Sequence, residues 1–306
     1  MSQALTVQRT LSHLLGEGLQ WHAPSGRWWW TDIEGRSLQA WTPGSPEHLV
    51  LHLPDRLGCF THTRSGALLL GFAKYLAVLK RFDTQAVGEH TLGAEALQVV
   101  CPVEADTPST RVNDGRCDRA GNFVFGTLDE AEPRQAIAHY YQYSNAHGLR
   151  RLALPPVRIA NSTCFSPDGR QIYFSDSPLQ TIWVCDYDAA SAQVGAPRVF
   201  VQWQGPQRDP DGSVIDAEGC LWNAEWGTGT VVRYAPEGGE LARYQANACN
   251  TTCPALGGPN GDELMVSSAR VGLSAAQLAA QPLSGSLFGT RIPAGLALAD
   301  ALFADA

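Results

Sequence analysis

SPDGRQIYFSDSPLQTIWVCDYD, residues 166 to 188, holds a polar turn ending in glycine, a second strand rich in β-branched and aromatic residues, and a third strand after it. The same order recurs in WHAPSGRWWWTDIEGRSLQAW (21–41), HTRSGALLLGFAKYLAVLKRFD (62–83), DRAGNFVFGTLDE (118–130), DAEGCLWNAEWGTGTVVRYAP (216–236) and GPNGDELMVSSARVG (258–272). Gly26, Gly66, Gly121, Gly169, Gly219 and Gly261 mark the turns, and the first and last lie 235 residues apart, a mean interval of 47. One three- or four-stranded unit cannot bury both of its faces, but six arranged radially can. The expected fold is therefore all-β, a six-bladed β-propeller in one domain over residues 1–306. LTVQRT (5–10) precedes the first repeat and is expected to pair with the last blade, near GSLFGTRI (285–292), so that no sheet edge is left open. Helix is expected only in the alanine-rich segments 274–281 and 293–306, and the insertions 84–110 and 129–160 are expected to form the rim.

Composition narrows the function classes. The chain has 306 residues, a formal charge of −8 and no cluster of Lys or Arg, which argues against nucleic acid and anionic membrane as partners. No apolar run reaches membrane-spanning length, and the N-terminus lacks the basic start and apolar core of a secretory signal. Eight cysteines scattered along the chain do not make a disulfide framework, so a reduced, cytoplasmic setting is expected. Cys249 and Cys253 form a lone CxxxC, a weak metal signal. A monomer and a small homo-oligomer are equally open.

Equal positions in the repeats fall on one ring around the propeller axis. Glu17, Asn113, Asn161 and Asp211 each lie four residues before the last residue preceding the turn, so they face the same way. Gly58 and Cys253 take that place in repeats two and six, leaving space and little charge. Two carboxylates and two amides at one mouth suit a hard divalent ion (Ca²⁺, Mg²⁺ or Mn²⁺), with Zn²⁺ or Fe²⁺ not excluded; the plainer reading is that these residues cap strand ends. Arg111 shares a strand face with Asn113, either to donate to a polyhydroxylated or carbonyl-bearing ligand or to pair with Asp114 or Asp118 at the surface. Asp114 and Gly212 are expected to serve turn geometry. No GxSxG, HExxH or Walker loop is present, and His62 reads as a strand-end residue.

With LGEGLQW, WWWTDIEG, RVNDGRCDRAGNFVFGT, ANSTCFSPDGRQIYFSDS, DPDGSVIDAEGCLWNAEWG and TTCPALGGPNGDELMVSSA in order, the chain from about Leu15 to Ala269 resembles the senescence marker protein/gluconolactonase family, which includes regucalcin and bacterial sugar lactonases. The resemblance implies a six-bladed propeller, a divalent cation held by Glu17, Asn161 and Asp211, and substrate contacts from Arg111 and Asn113, with a weaker one from Glu130. Ser162 departs from the family's usual glycine after the ligand asparagine. The implied activity is metal-dependent hydrolysis of a sugar lactone to the aldonic acid, with Asp211 also the candidate base. A non-catalytic, regucalcin-like metal binder and a broader esterase on a related propeller are the alternatives.

Overall fold

The computed structural model describes residues 2–206 and 208–305. Six antiparallel sheets follow one another along the chain, each a blade whose first strand lies innermost. The inner strands are Gly16–His22, Leu57–His62, Thr110–Cys117, Ala160–Phe165, Asp209–Ile215 and Thr251–Gly257, numbered here as blades 1 to 6. Blade 6 has three strands from its own repeat, the third being Leu287–Arg291, and Thr6–Arg9 adds antiparallel to that strand as the fourth. The preceding Gln3–Ala4 runs parallel to the outer strand of blade 5, so the N-terminus ties two blades together. All six turn glycines have positive φ, from +64° to +95°, a backbone region that side chains with a Cβ rarely enter.

The WWW run explains how the blades cohere. Successive strand residues point to opposite faces. Trp28 and Trp30 join Leu19, Met265 and Leu287 in the wedge between blades 6 and 1. Trp29 faces the other way, onto Leu57, Phe60 and Phe72 in the wedge between blades 1 and 2. All three indoles are fully buried. Four further apolar clusters fill the remaining wedges, so the core is six interblade layers around an axis rather than one central mass.

Two expectations need correction. Neither insertion is simply rim: Gly88–Thr91 adds in parallel to the outer edge of blade 1, Gln98–Pro102 is the outermost strand of blade 2, and within 129–160 Tyr140–Ser144 and Gly148–Arg151 are the outer strands of blade 3. Ala275–Ala280 is a helix with a Ser274/Gln277 capping box, but 293–305 is not helical. After Pro293 and Gly295 its polar groups bind several blades instead of one another: Leu296 O accepts from Ala217 N (2.9 Å), Ala299 O from Arg119, and Phe303 N donates to His62 O (2.9 Å). Asp300 of this segment pairs with Arg116, and the two line a second cavity with Asp114 and Cys253. His62 ends its strand as expected, all eight cysteines are free thiols, and no helix among the described residues is long and apolar enough to cross a membrane.

Candidate functional site at the propeller hub

The six inner strands share one irregularity. In each, the ladder to the second strand slips near the position that the repeat phase singles out, as between Glu17 and Gln20, Asn161 and Cys164, or Pro210 and Ser213. A bulge of this kind re-aims side chains that regular pairing would send elsewhere. Gly18 (φ +60°) and Ser162 (φ +61°) occupy the same bulge position in blades 1 and 4. Ser162 offsets the strain of that conformation with its hydroxyl, which donates to Asp211 O at 2.8 Å and ties the ligand positions of blades 4 and 5 together. Gly58 does not leave space: a Cβ there would sit 2.4 Å from Val112 O, so the glycine lets blade 2 approach the strand that carries Asn113.

Buried acids ending the second strands pin the approach to the hub. Asp32 accepts from Leu14 N and Leu15 N at 3.1 and 2.9 Å, and Asp176 accepts from Arg158 N and Ile159 N, both at 3.0 Å. Each therefore fixes the residue two places before a predicted ligand. The sequence signal for this device, an acid closing WWWTD and YFSD, is visible only once the repeats are aligned.

Glu17, Asn113, Asn161 and Asp211 line one cavity of about 500 Å³ at the mouth where the inner strands begin, and Arg111 and Glu130 line it with them. Asn113 Nδ2 donates to Asn161 Oδ1 at 3.0 Å, while Asn161 Nδ2 donates to Ser177 Oγ at 2.9 Å, and Ser177 in turn donates to Pro210 O. Both amides are thereby oriented, with the Asn161 oxygen on the hub side. Arg111 donates to Asn113 Oδ1 (2.8 Å) and Val112 O (3.0 Å), and its Nε lies 3.4 Å from Glu130 Oε1 without a hydrogen bond. It pairs with neither Asp114 nor Asp118, so the surface reading of Arg111 falls. Glu130 is held by Arg56, which also reaches Glu34 (3.2 Å), and the Arg56 hydrogen bond keeps its carboxyl below the usual range. Arg56 and Glu34 escaped the sequence reading because they sit in loops outside the repeat phase.

The hub's electrostatics are unbalanced. Burial first, then the charge of Asp114, push Glu17 up to about 8, and burial with the Glu17 charge drives Asp211 well above the carboxylate range. Asp114, expected in a turn, lies instead on the inner strand of blade 3, accepts from Thr163 N at 2.7 Å and adds a third acid beneath the pair. Its neighbour Asn113 drew attention because amides and acids recur at that phase; Asp114 is one residue out of phase, and only the bulge turns it inward. Among the described residues no three His, Cys, Asp or Glu side chains form a metal-ligating group; what the hub offers a cation is two carboxylates and the amide oxygen of Asn161. That oxygen-only set, with Asp211 buried beside a half-buried Glu17, fits a hard divalent ion.

The model of the SMP-30/gluconolactonase/LRE-like region matches residues 15–270. L-arabinolactonase of Azospirillum brasilense is 42% identical over 285 residues, 92% of this chain and 90% of its own. A putative sugar lactone lactonase of Rhizobium meliloti is 32% identical over 92% of each chain. Among solved structures, regucalcin of Agrobacterium tumefaciens, a calcium-binding protein, superposes with a TM-score of 0.85 at 30% identity over 99% of each chain. With its repeats, its bulged inner strands and this match, the chain belongs to the SMP-30/gluconolactonase/LRE-like family.

Proposed function

We propose that the chain works as one propeller domain that hydrolyses a sugar lactone to its aldonic acid with one divalent cation held by Glu17, Asn161 and Asp211. The observation that carries this reading is the carboxylate pair of Asp211, buried, and Glu17, half-buried, both held above the usual carboxylate range in a cavity that Arg111 and Asn113 also line. The relatives named for lactone hydrolysis, matched over nine-tenths of the chain, support the same chemistry. Glu17, Asn161 and Asp211 would hold the cation, whose Lewis acidity would polarise the lactone carbonyl.

The chain's own residues supply the rest. Asp211 takes a proton from water at its carboxylate as the water oxygen bonds to the carbonyl carbon. The ring C–O bond then breaks, and the proton passes to the departing ring oxygen, giving a carboxylic acid and a hydroxyl. Arg111, buried and fixed by Asn113, directs its remaining N–H groups to lactone oxygens. Glu130, kept ionised by Arg56, accepts from a sugar hydroxyl.

The test is a panel of pentono- and hexono-lactones against aryl esters, with and without chelator. Turnover confined to sugar lactones, lost with chelator and restored by a divalent ion, is the expected result. Metal binding without any turnover supports the non-catalytic alternative, and faster turnover of aryl esters supports the esterase.

A further inference from the structure

The nine tryptophans of this chain divide unevenly. The rings of Trp21 and Trp28 pack together, Trp29 lies against His62, and Trp30 against His13. Trp183 stacks on Phe174, Trp203 lies near Tyr234, Trp222 stacks on Tyr244, and Trp41 carries the Arg9 guanidinium. Trp226 alone, among the described residues, has no aromatic or arginine partner, and its indole N–H donates to no protein group. It is half-buried and, among the described residues, is the one aromatic residue lining the hub cavity. An indole left open in a pocket keeps apolar area in water that a ligand can cover.

Its position is fixed. The backbone of Trp226 pairs with Asp209 at the start of the Asp211 strand and bridges to Asn250, whose amide holds Val271 O at 3.2 Å. The preceding residue, Glu225, is fully buried and clamped by Arg208 and Arg243. Trp226 and Val271 line the cavity from the side of blades 5 and 6, and Arg111 and Glu130 line it from blade 3. A cavity that offers one flat indole together with an arginine and a carboxylate suits a ring with hydroxyls at its edge and a C–H face.

We infer that Trp226 is a specificity-determining residue, the platform on which the C–H face of the sugar ring stacks while its hydroxyls meet Arg111 and Glu130. The inference rests on the lactonase reading and names how that site recognises its substrate.

Two measurements test it. Trp226→Ala raises KM for an arabinono-lactone about tenfold, with kcat changed by less than about threefold, and Trp226→Phe recovers most of the loss. The metal affinity of both variants stays that of the wild type. In the wild type, the Trp226 indole N–H resonance, assigned by its absence in Trp226→Phe, shifts on titration with anhydro-arabinitol, a ring with a methylene in place of the ester carbonyl. An unchanged KM in Trp226→Ala, or an indole resonance that does not move, overturns the platform. A wild type that hydrolyses lactones with an unmoved indole resonance sinks the platform alone. A resonance that shifts in a protein that hydrolyses no lactone sinks the lactonase reading alone. If Trp226→Ala fails to fold, the phenylalanine variant and the titration still decide.

Discussion

Of the buried acids in blade 5, Glu225 and Asp211 have surroundings that differ in sign. Glu225 is fully enclosed, yet it accepts from Arg208 (2.7 and 2.8 Å), Arg243 (3.1 Å), Thr230 (2.7 Å) and Tyr234 (2.8 Å). Burial alone would raise its pKa, but the Arg208 and Thr230 hydrogen bonds outweigh it and bring the carboxyl below its ordinary value. Asp211 is buried as deeply and meets Glu17 and Asp114 instead of arginines, so its carboxyl is driven the other way. Burial is common to both; what differs is whether the protein supplies the counter-charge. Where it does, the acid holds the blade together, and where it does not, the charge is left for the proposed cation to balance.

That contrast can be broken from either end. Asp211→Asn removes a ligand charge and the candidate base together. Steady-state assays should find kcat on sugar lactones lowered by about 10²- to 10⁴-fold, with the melting temperature of the metal-free protein unchanged or raised. Near-normal turnover would remove Asp211 from the chemistry.

Glu225→Gln leaves Arg208 and Arg243 without their shared anion, and denaturant unfolding should show a loss of about 3 kcal/mol. Its metal stoichiometry should stay at one per chain. The pH dependence sharpens the same point. Because the folded pKa of Glu225 is depressed, its contribution is present above the unfolded carboxyl value of about 4.3 and is lost as pH falls through the folded value. Acid unfolding curves of Glu225→Gln should therefore be shallower than those of the wild type in that window.

The smallest effect belongs to the link between the two ligand blades. Ser162→Ala keeps the strained φ but loses the hydrogen bond to Asp211 O, and thermal melts should register a cost of about 1 kcal/mol. Ser162→Gly relieves the backbone and should lie closer to the wild type.

Much of this arrangement could be read from residues alone. The turn glycines exposed the six-fold repeat because each needs the left-handed conformation that the structure shows, and the phase of Glu17, Asn113, Asn161 and Asp211 placed them in one cavity. What phase could not show was the bulge, which turns Asp114 from a supposed turn residue into a third hub acid. Nor could composition show the path of 293–305, whose alanines and leucines look helical while its backbone is engaged by other blades. Arg56 and Glu34 lie in loops between repeated strands, where periodicity carries no information, and Trp226 ends a strand at the rim.

Anomalous diffraction from crystals grown with Mn²⁺ tests the hub most directly. A single strong peak within about 2.1–2.5 Å of oxygens from Glu17, Asn161 and Asp211 is the predicted result. No peak at the hub under saturating Mn²⁺, or a peak bound elsewhere with those three side chains free, would contradict it.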